Sequence, residues 1–168
     1  MSWLKPRRGA DIPADAVQAL GLQPGERVLV SAQAVDGSWV AATDRALVTQ
    51  VWRSQWADIG YAQWEPDDGA LVVVGVPGTF GTRRVPLDEP GRLPETVHER
   101  VMASIVVTRR IRVPDTELWV RVVGRRLPDD SLRWQVVPDD GLDPTSAAVQ
   151  DLAEALIRQL RSEIGERA

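Results

Sequence analysis

Turn signals recur at short intervals through the first half of the chain, and they constrain its fold more than any other feature. Gly, Pro and Asp meet in QPGE (23–26), VDGS (35–38) and PDDG (66–69), and these residues favour tight turns. Short apolar runs separated by turns about every eight to twelve residues are typical of a β-barrel or β-sandwich. Residues 27–87 are therefore predicted to form an antiparallel meander of six short strands.

A helical period replaces this pattern in the middle of the chain. Val97, Val101 and Ile105 recur at every fourth residue, which predicts a helix over 94–105 with one apolar face. The β-branched residues that follow favour a strand. We therefore expect the helix to pass into a strand near Thr108.

The last third of the chain predicts a hairpin followed by an amphipathic helix. Two runs, 117–127 and 132–137, flank the turn sequence PDDS. A final helix is predicted from Asp143 and Pro144, with an apolar stripe opposite Arg and Glu. The stripe consists of Val149, Leu152, Leu156, Leu160 and Ile164.

These elements predict three parts of the chain. Residues 1–23 form an N-terminal arm and a short helix, residues 24–107 form a β-rich domain, and residues 108–168 form a ββα extension. A segment as short as the extension buries little core alone. We therefore expect it to pack on the β-rich domain.

The amino-acid composition indicates the cellular compartment and excludes several kinds of site. The chain has 168 residues, 43% of them hydrophobic, which is enough for a continuous core. It contains no Cys, which excludes a disulfide framework and a thiolate zinc site and favours the reducing cytoplasm. There is no signal-peptide pattern and no apolar run of about 18 residues, so we expect no membrane span.

Three short motifs carry a resemblance to a known family. Gly25-Glu26 opens the first strand, TDRAL (43–47) joins two strands, and WADI (56–59) precedes a Val-rich strand. Over residues 24–107 the chain resembles the bacterial pleckstrin-homology-like (PH-like) domains related to the GRAM group. The resemblance implies an α+β fold with a curved antiparallel sheet of six to seven strands, a partly open barrel capped by a helix. The β-hairpin and the C-terminal amphipathic helix are additions to it.

A second resemblance lies further upstream. The stretch IPADAVQALGLQPGERVLV (12–30) is similar to the AbrB-like swapped-hairpin transcription regulators, which implies that Lys5, Arg7 and Arg8 contact DNA phosphates. Those regulators need a strand before this stretch. The segment SWLKPRRGAD, with Pro6 and Gly9, makes a poor strand, which disfavours that interpretation.

The residues offer no catalytic or metal-binding constellation. His98 is the single histidine and has no nucleophile and carboxylate pattern beside it. The acidic pairs at 67–68, 129–130 and 139–140 follow Pro and precede Gly or Ser, which is typical of turns rather than of calcium loops. We therefore predict no enzyme activity, no metal and no cofactor.

Basic and aromatic residues mark the candidate interaction surface. Trp52 and Tyr61, in the aromatic-rich stretch 51–64, are expected to share an exposed patch. GVPGTFGTRR (75–84) is predicted to be a hairpin tip, with weak anion binding through its two Arg residues as the alternative. In eukaryotic lipid-binding relatives of the PH-like family, a basic loop between the first two strands binds inositol phosphates. The equivalent loop here, AVDGS, has no basic residue, so the resemblance disfavours phosphoinositide binding. The candidate residues are Trp52, Tyr61, Arg83, Arg84, Arg109, Arg110, Arg112, Trp119, Arg121 and Arg125.

The function predicted from these features is a non-enzymatic, cytoplasmic PH-like module that binds another protein. The alternative is a nucleic-acid-binding protein that uses the surface between Arg109 and Arg126 or the N-terminal arm, because cationic and aromatic side chains together suit single strands. The formal net charge of −4 and an Asp-rich final third disfavour nucleic acid. Partner identity and oligomeric state stay open.

Overall fold

The computed structural model describes residues 12–165, and within them the chain is an α+β protein with three helices and three antiparallel sheets. The prediction of an α+β fold is confirmed. The chain divides into two compact units, Met1–Ala103 and Ser104–Ala168. Lys5, Arg7 and Arg8, expected to contact DNA in the AbrB-like alternative, lie outside the described residues.

Unit 1 is β-rich and closes with a helix. Its first sheet has the order β1-β2-β3-β4, its second has the order β5-β6-β7, and neighbouring strands are antiparallel. The helices are α1 (Ala14–Ala19) and α2 (Leu93–Ala103). The strands are β1 (Val28–Gln33), β2 (Trp39–Thr43), β3 (Ala46–Thr49), β4 (Arg53–Gln55), β5 (Ile59–Glu65), β6 (Ala70–Gly75) and β7 (Thr82–Pro86).

The seven strands do not form the single curved sheet that was predicted, and within the described residues they do not close into a barrel. A 3₁₀ turn, Trp56–Asp58, separates β4 from β5. The Trp56 indole N–H donates to the Thr43 carbonyl at 3.1 Å, which holds this turn at the first sheet while the chain leaves for the second. An isolated pair, Ala34 with Leu87, links the ends of β1 and β7.

The core of unit 1 takes side chains from both sheets and from α2. The helix contributes Leu93, Val97 and Val101, all buried. Ile105, predicted to continue this stripe, lies instead in the next strand. On another face of the first sheet, Leu20 beyond α1 packs with Ala41, Ala46 and Val48.

A buried polar network joins the motif residues of unit 1. The Glu26 side chain has no exposed surface. Its Oε1 accepts from Thr43 Oγ1 at 2.5 Å and from Arg53 Nη2 at 2.7 Å. Thr43 Oγ1 also accepts from the Ala46 N–H at 2.9 Å. The carboxylate therefore connects the segment before β1, the turn between β2 and β3, and the edge strand β4.

The same turn is bonded to its neighbours through Asp44. Asp44 Oδ1 accepts from the Arg27 N–H at 2.9 Å, and the Asp44 carbonyl accepts from Arg100 Nη2 of α2 at 3.0 Å. The helix that closes the unit is thus bonded to the turn as well as packed on the core.

Unit 2 is a three-stranded sheet with one helix on a face. The strands are β8 (Ile105–Arg112), β9 (Trp119–Arg126) and β10 (Leu132–Pro138), in the order β10-β9-β8, and the helix is α3 (Ala147–Ile164). Val120 and Val122 of β9 are fully buried in a cluster with Val149 and Leu160 of α3.

Two boundaries in unit 2 differ from the sequence prediction. β8 begins at Ile105, earlier than the expected passage near Thr108, because its first residues already pair with β9. α3 begins later than Asp143, because Ser146 is the N-cap and accepts from the Val149 N–H. Asp143 instead caps a turn by accepting from the Thr145 N–H at 2.8 Å.

Replacing Glu26 tests the network at its centre. Burial raises the pKa of Glu26, but hydrogen bonds from Arg53 and Thr43 outweigh burial and hold this pKa below its ordinary value. We expect Glu26→Gln to lower the free energy of unfolding at pH 7 by about 3 kcal/mol, because it leaves Arg53 without its carboxylate. Urea denaturation measures this change. Glu65→Gln, in an exposed pair with Arg84, should cost less than about 1 kcal/mol.

The stability difference between wild type and Glu26→Gln should also depend on pH. A carboxyl whose pKa is lower in the folded state stabilises the fold above its unfolded pKa, and this stability is lost as pH falls through the folded pKa. The difference in unfolding free energy between wild type and Glu26→Gln should therefore shrink as pH falls below 4.5. A difference that stays constant to pH 3 would contradict an ionised Glu26.

Candidate functional site

Trp52 and Arg83, both predicted as candidate residues, meet in unit 1 with a third side chain, Phe80. Arg83 Cζ lies over the Trp52 ring, 4.6 Å from its centroid, and over the Phe80 ring, 4.3 Å from its centroid. Arg83 Nη1 donates to Ser54 Oγ at 2.7 Å. At these distances a guanidinium is attracted by the electrons of each ring face. Trp52, Phe80 and Arg83 are here called the aromatic–arginine stack.

Two tight turns hold the rings of the stack. The Trp52 N–H donates to Thr49 Oγ1 at 3.0 Å, and the Trp52 carbonyl accepts from the Thr49 N–H at 2.8 Å. In the loop before β7, Thr79 Oγ1 donates to the Val76 carbonyl at 2.6 Å. Phe80 follows this turn directly. Both rings are therefore placed by local backbone bonds as well as by packing on the core.

A close backbone approach at Gly75 also shapes the loop. A Cβ at this position would lie 2.2 Å from the Phe80 carbonyl oxygen and 2.8 Å from Thr79 Oγ1. Only glycine fits so close to backbone without a shift of the loop.

The charge of Arg83 has no acidic counterpart among residues 12–165. Its neighbour Arg84 differs, since it pairs with Glu65 at 2.8 Å and with Asp68 at 2.7 Å. These two carboxylates raise the pKa of Arg84. The stack is half-buried, and Val51, directly before Trp52 in the chain, is 88% exposed.

The expected patch of Trp52 with Tyr61 is not formed. Tyr61 is 54% exposed and pairs with Val74, whereas Ala62 and Arg83 pair with Val73. Successive strand residues point to opposite faces, so Tyr61 lies on the face opposite Arg83. β6 and β7 form the predicted hairpin. Arg83 and Arg84 lie on opposite faces of β7, so they do not act together as in the alternative of anion binding.

The predicted basic surface of unit 2 is only partly assembled. β8 and β9 do pair, and Arg110 lies opposite Arg121. Arg110 Cζ lies 5.2 Å from the Trp119 ring centroid, on the same face. Arg110 also pairs with Asp139 at 3.8 Å, and Asp139 accepts from the Trp119 N–H.

The remaining arginines of this surface are dispersed or neutralised. Arg112 pairs with Glu117, and Arg126 pairs with Asp130 at 3.4 Å. Arg125 is only 4% exposed and donates to Ser104 Oγ at 3.1 Å. Burial and the charge of Arg121 lower its pKa. Arg109 pairs with the fully buried Val122 and so lies on the α3 face of the sheet. These arginines therefore do not all lie on the face of Trp119.

Other predicted sites have plain structural roles. Asp129 caps its turn by accepting from the Ser131 N–H at 3.0 Å, and His98 is exposed on α2. Among the described residues no cluster of three or more His, Cys, Asp or Glu side chains has metal-binding geometry. None of the helices in residues 12–165 has the length and apolarity needed to traverse a bilayer.

Sequence reasoning missed Phe80 and Ser54 as members of the site. Phe80 is the single Phe of the chain and stands in a Gly-rich tip, which reads as a turn. Ser54 lies in β4, a short polar strand without apolar alternation. Only the lone aromatic residue in the tip signalled a role.

Comparison of the chain with protein-family models, with curated proteins and with solved structures finds no match. The geometry of the aromatic–arginine stack is therefore the basis for a functional proposal.

Replacing Gly75 tests how the stack is built. We expect Gly75→Ala to move the Phe80 backbone and to lower the free energy of unfolding by about 1–3 kcal/mol. Urea denaturation measures the stability, and loss of the ring-current shifts of the Arg83 side-chain protons in NMR spectra reports the stack. Gly81→Ala is the control, because a Cβ at Gly81 meets no atom within 4 Å. Equal effects of the two substitutions would contradict the close approach.

Proposed function

We propose that unit 1 is a non-enzymatic PH-like module that binds another protein through the aromatic–arginine stack and Val51. The observation that carries this proposal is the half-buried cluster of Trp52, Phe80 and Arg83, with the 88% exposed Val51 directly before Trp52 in the chain. Trp, Phe and Arg are enriched in protein interfaces, and Trp and Arg are common among residues that dominate binding energy. A solvent-exposed aliphatic side chain next to them suits burial by a partner.

The way the stack is held also supports binding. Hydrogen bonds to Thr49, Val76 and Ser54 order both turns and the guanidinium before a partner arrives. Side chains that are already ordered lose less conformational entropy on association. The surface is thus prepared for a partner without a rearrangement of its own.

The PH-like part of the proposal rests on the motif residues. Glu26, Thr43 and Trp56 were the carriers of the resemblance, and they are joined by hydrogen bonds in one network. The network gives these residues a shared structural purpose, which supports the resemblance. The order of seven strands followed by α2 within the described part of unit 1 is compatible with it.

A photo-crosslinker tests the binding surface in native cells. We expect the full chain with benzoylphenylalanine at position 51 to crosslink a defined protein. The full chain with the same crosslinker at position 61 should not crosslink that protein. Trp52→Ala should weaken affinity for that protein about 30-fold, the equivalent of about 2 kcal/mol. Isothermal titration measures this affinity.

Tyr61→Ala provides the matched control, because Tyr61 is an exposed aromatic residue on the face of the second sheet opposite Arg83. It should bind like wild type. Crosslinking from position 61 but not from 51, or equal affinity for wild type and Trp52→Ala, would reject the surface.

A second candidate function is single-stranded nucleic-acid binding in unit 2. The observation in its favour is that Arg110 lies over the Trp119 ring with Arg121 on the same face. If this face binds, fluorescence anisotropy of a labelled oligonucleotide should show an affinity that falls steeply with salt. Arg121→Gln should then weaken binding several-fold. Unchanged anisotropy with RNA and DNA oligonucleotides at low salt removes this candidate, and deletion of residues 1–11 separates it from the N-terminal arm.

A further inference from the structure

The guanidinium of Arg83 combines a positive charge with unusual surroundings. Its Cζ lies over the Trp52 ring and over the Phe80 ring, and one of its five N–H donors bonds to Ser54. No carboxylate among residues 12–165 pairs with it. The N–H donors of a guanidinium point outward in its plane, where a planar anion can accept two parallel hydrogen bonds.

The neighbouring cations are directed elsewhere, which limits the kind of anion that fits. Arg84 lies on the other face of β7 and pairs with Glu65 and Asp68. Arg53 pairs with the buried Glu26. A phosphate dianion is favoured by several cations, whereas one guanidinium matches one carboxylate in charge and in planar geometry.

The apolar rim also favours a carboxylate carried by a protein segment. Val51, which precedes Trp52 in the chain, is exposed, and the half-buried Trp52 and Phe80 rings bound the guanidinium. Rings reduce the access of water to the ion pair, and an electrostatic contact is stronger where water is excluded. An acidic side chain with apolar neighbours can fill both parts of this surface at once.

We propose that Arg83 anchors the partner by binding a Glu or Asp carboxylate in bidentate fashion, with an apolar residue of the same partner segment packed on Val51 and Trp52. The proposal rests on the proposed function and names the chemistry of its partner. In this proposal the planar arrangement of the Arg83 N–H donors, and not only its positive charge, determines what binds.

Two peptide libraries test this chemistry directly. Both present random apolar residues around one fixed central position, which is Glu in the first library and Gln in the second. Each library is printed as a peptide array, and binding of the full chain to it is measured. The affinities of the Glu peptides that bind best are then determined by NMR titration. We expect binding to the Glu library alone, a shift of the Arg83 Nε–H and Trp52 Nε1–H resonances, and at least a tenfold loss of affinity when Glu is replaced by Gln.

Substitutions of Arg83 separate the planar geometry from the charge. We expect Arg83→Met to weaken binding of the Glu peptide about 30-fold. Arg83→Lys should weaken it about 10-fold, because Lys keeps the charge but not the planar geometry. Arg84→Met is the matched control and should bind like wild type. Thermal unfolding of all three variants shows that they are folded.

Several outcomes would overturn the proposal. Equal binding of the Glu and Gln libraries, wild-type affinity of Arg83→Met, or an equal loss in Arg84→Met would each exclude a carboxylate anchor at Arg83. Tighter binding of phosphoserine peptides than of Glu peptides would replace it with a phosphopeptide site.

The outcome also separates this inference from the proposed function. If Gln peptides bind and Trp52→Ala abolishes their binding, the interaction surface stands and the carboxylate anchor fails. If no peptide of either library binds in a way that depends on Trp52, both fail.

Discussion

The buried carboxylate of Glu26 is the interaction on which unit 1 depends. An ionised group without exposed surface is costly unless hydrogen bonds replace its lost water. Arg53 and Thr43 supply these bonds, and the Thr43 carbonyl in turn accepts from Trp56. Satisfying one charge therefore brings together the start of β1, the turn after β2, the edge strand β4 and the 3₁₀ turn that leads to the second sheet.

The candidate site is a consequence of that arrangement. Ser54 belongs to β4 and Arg83 to β7, which lie in different sheets, yet a hydrogen bond of 2.7 Å joins them. Because Arg53 of β4 is bonded to Glu26, the same short strand that completes the buried network also presents Ser54 to Arg83. β4 thus connects the buried network, through Arg53, to the aromatic–arginine stack, through Ser54.

Much of the fold was predictable because local patterns report it. Strong turn residues and β-branched runs located the strands of the meander, and the spacing of Val97 and Val101 located α2. The polar strand β4 was missed because its pairing with β3, and not its own composition, makes it a strand. Of the site, Trp52 and Arg83 were identified, but Phe80 was not, because its Gly-rich surroundings are typical of a turn. The contact between Trp52 and Arg83 joins distant segments and has no signal in local sequence.

The sequence by itself determined most of the strands, helices and turns, because these arise from backbone preference and from the period of apolar residues. Only the tertiary structure decided which arginines act together. Strand register places Tyr61 on the face opposite Arg83, and it is Arg83 that contacts Trp52. Neutralisation of Arg110 and Arg112 by acidic neighbours likewise depends on distances between residues that the folded chain alone brings within reach.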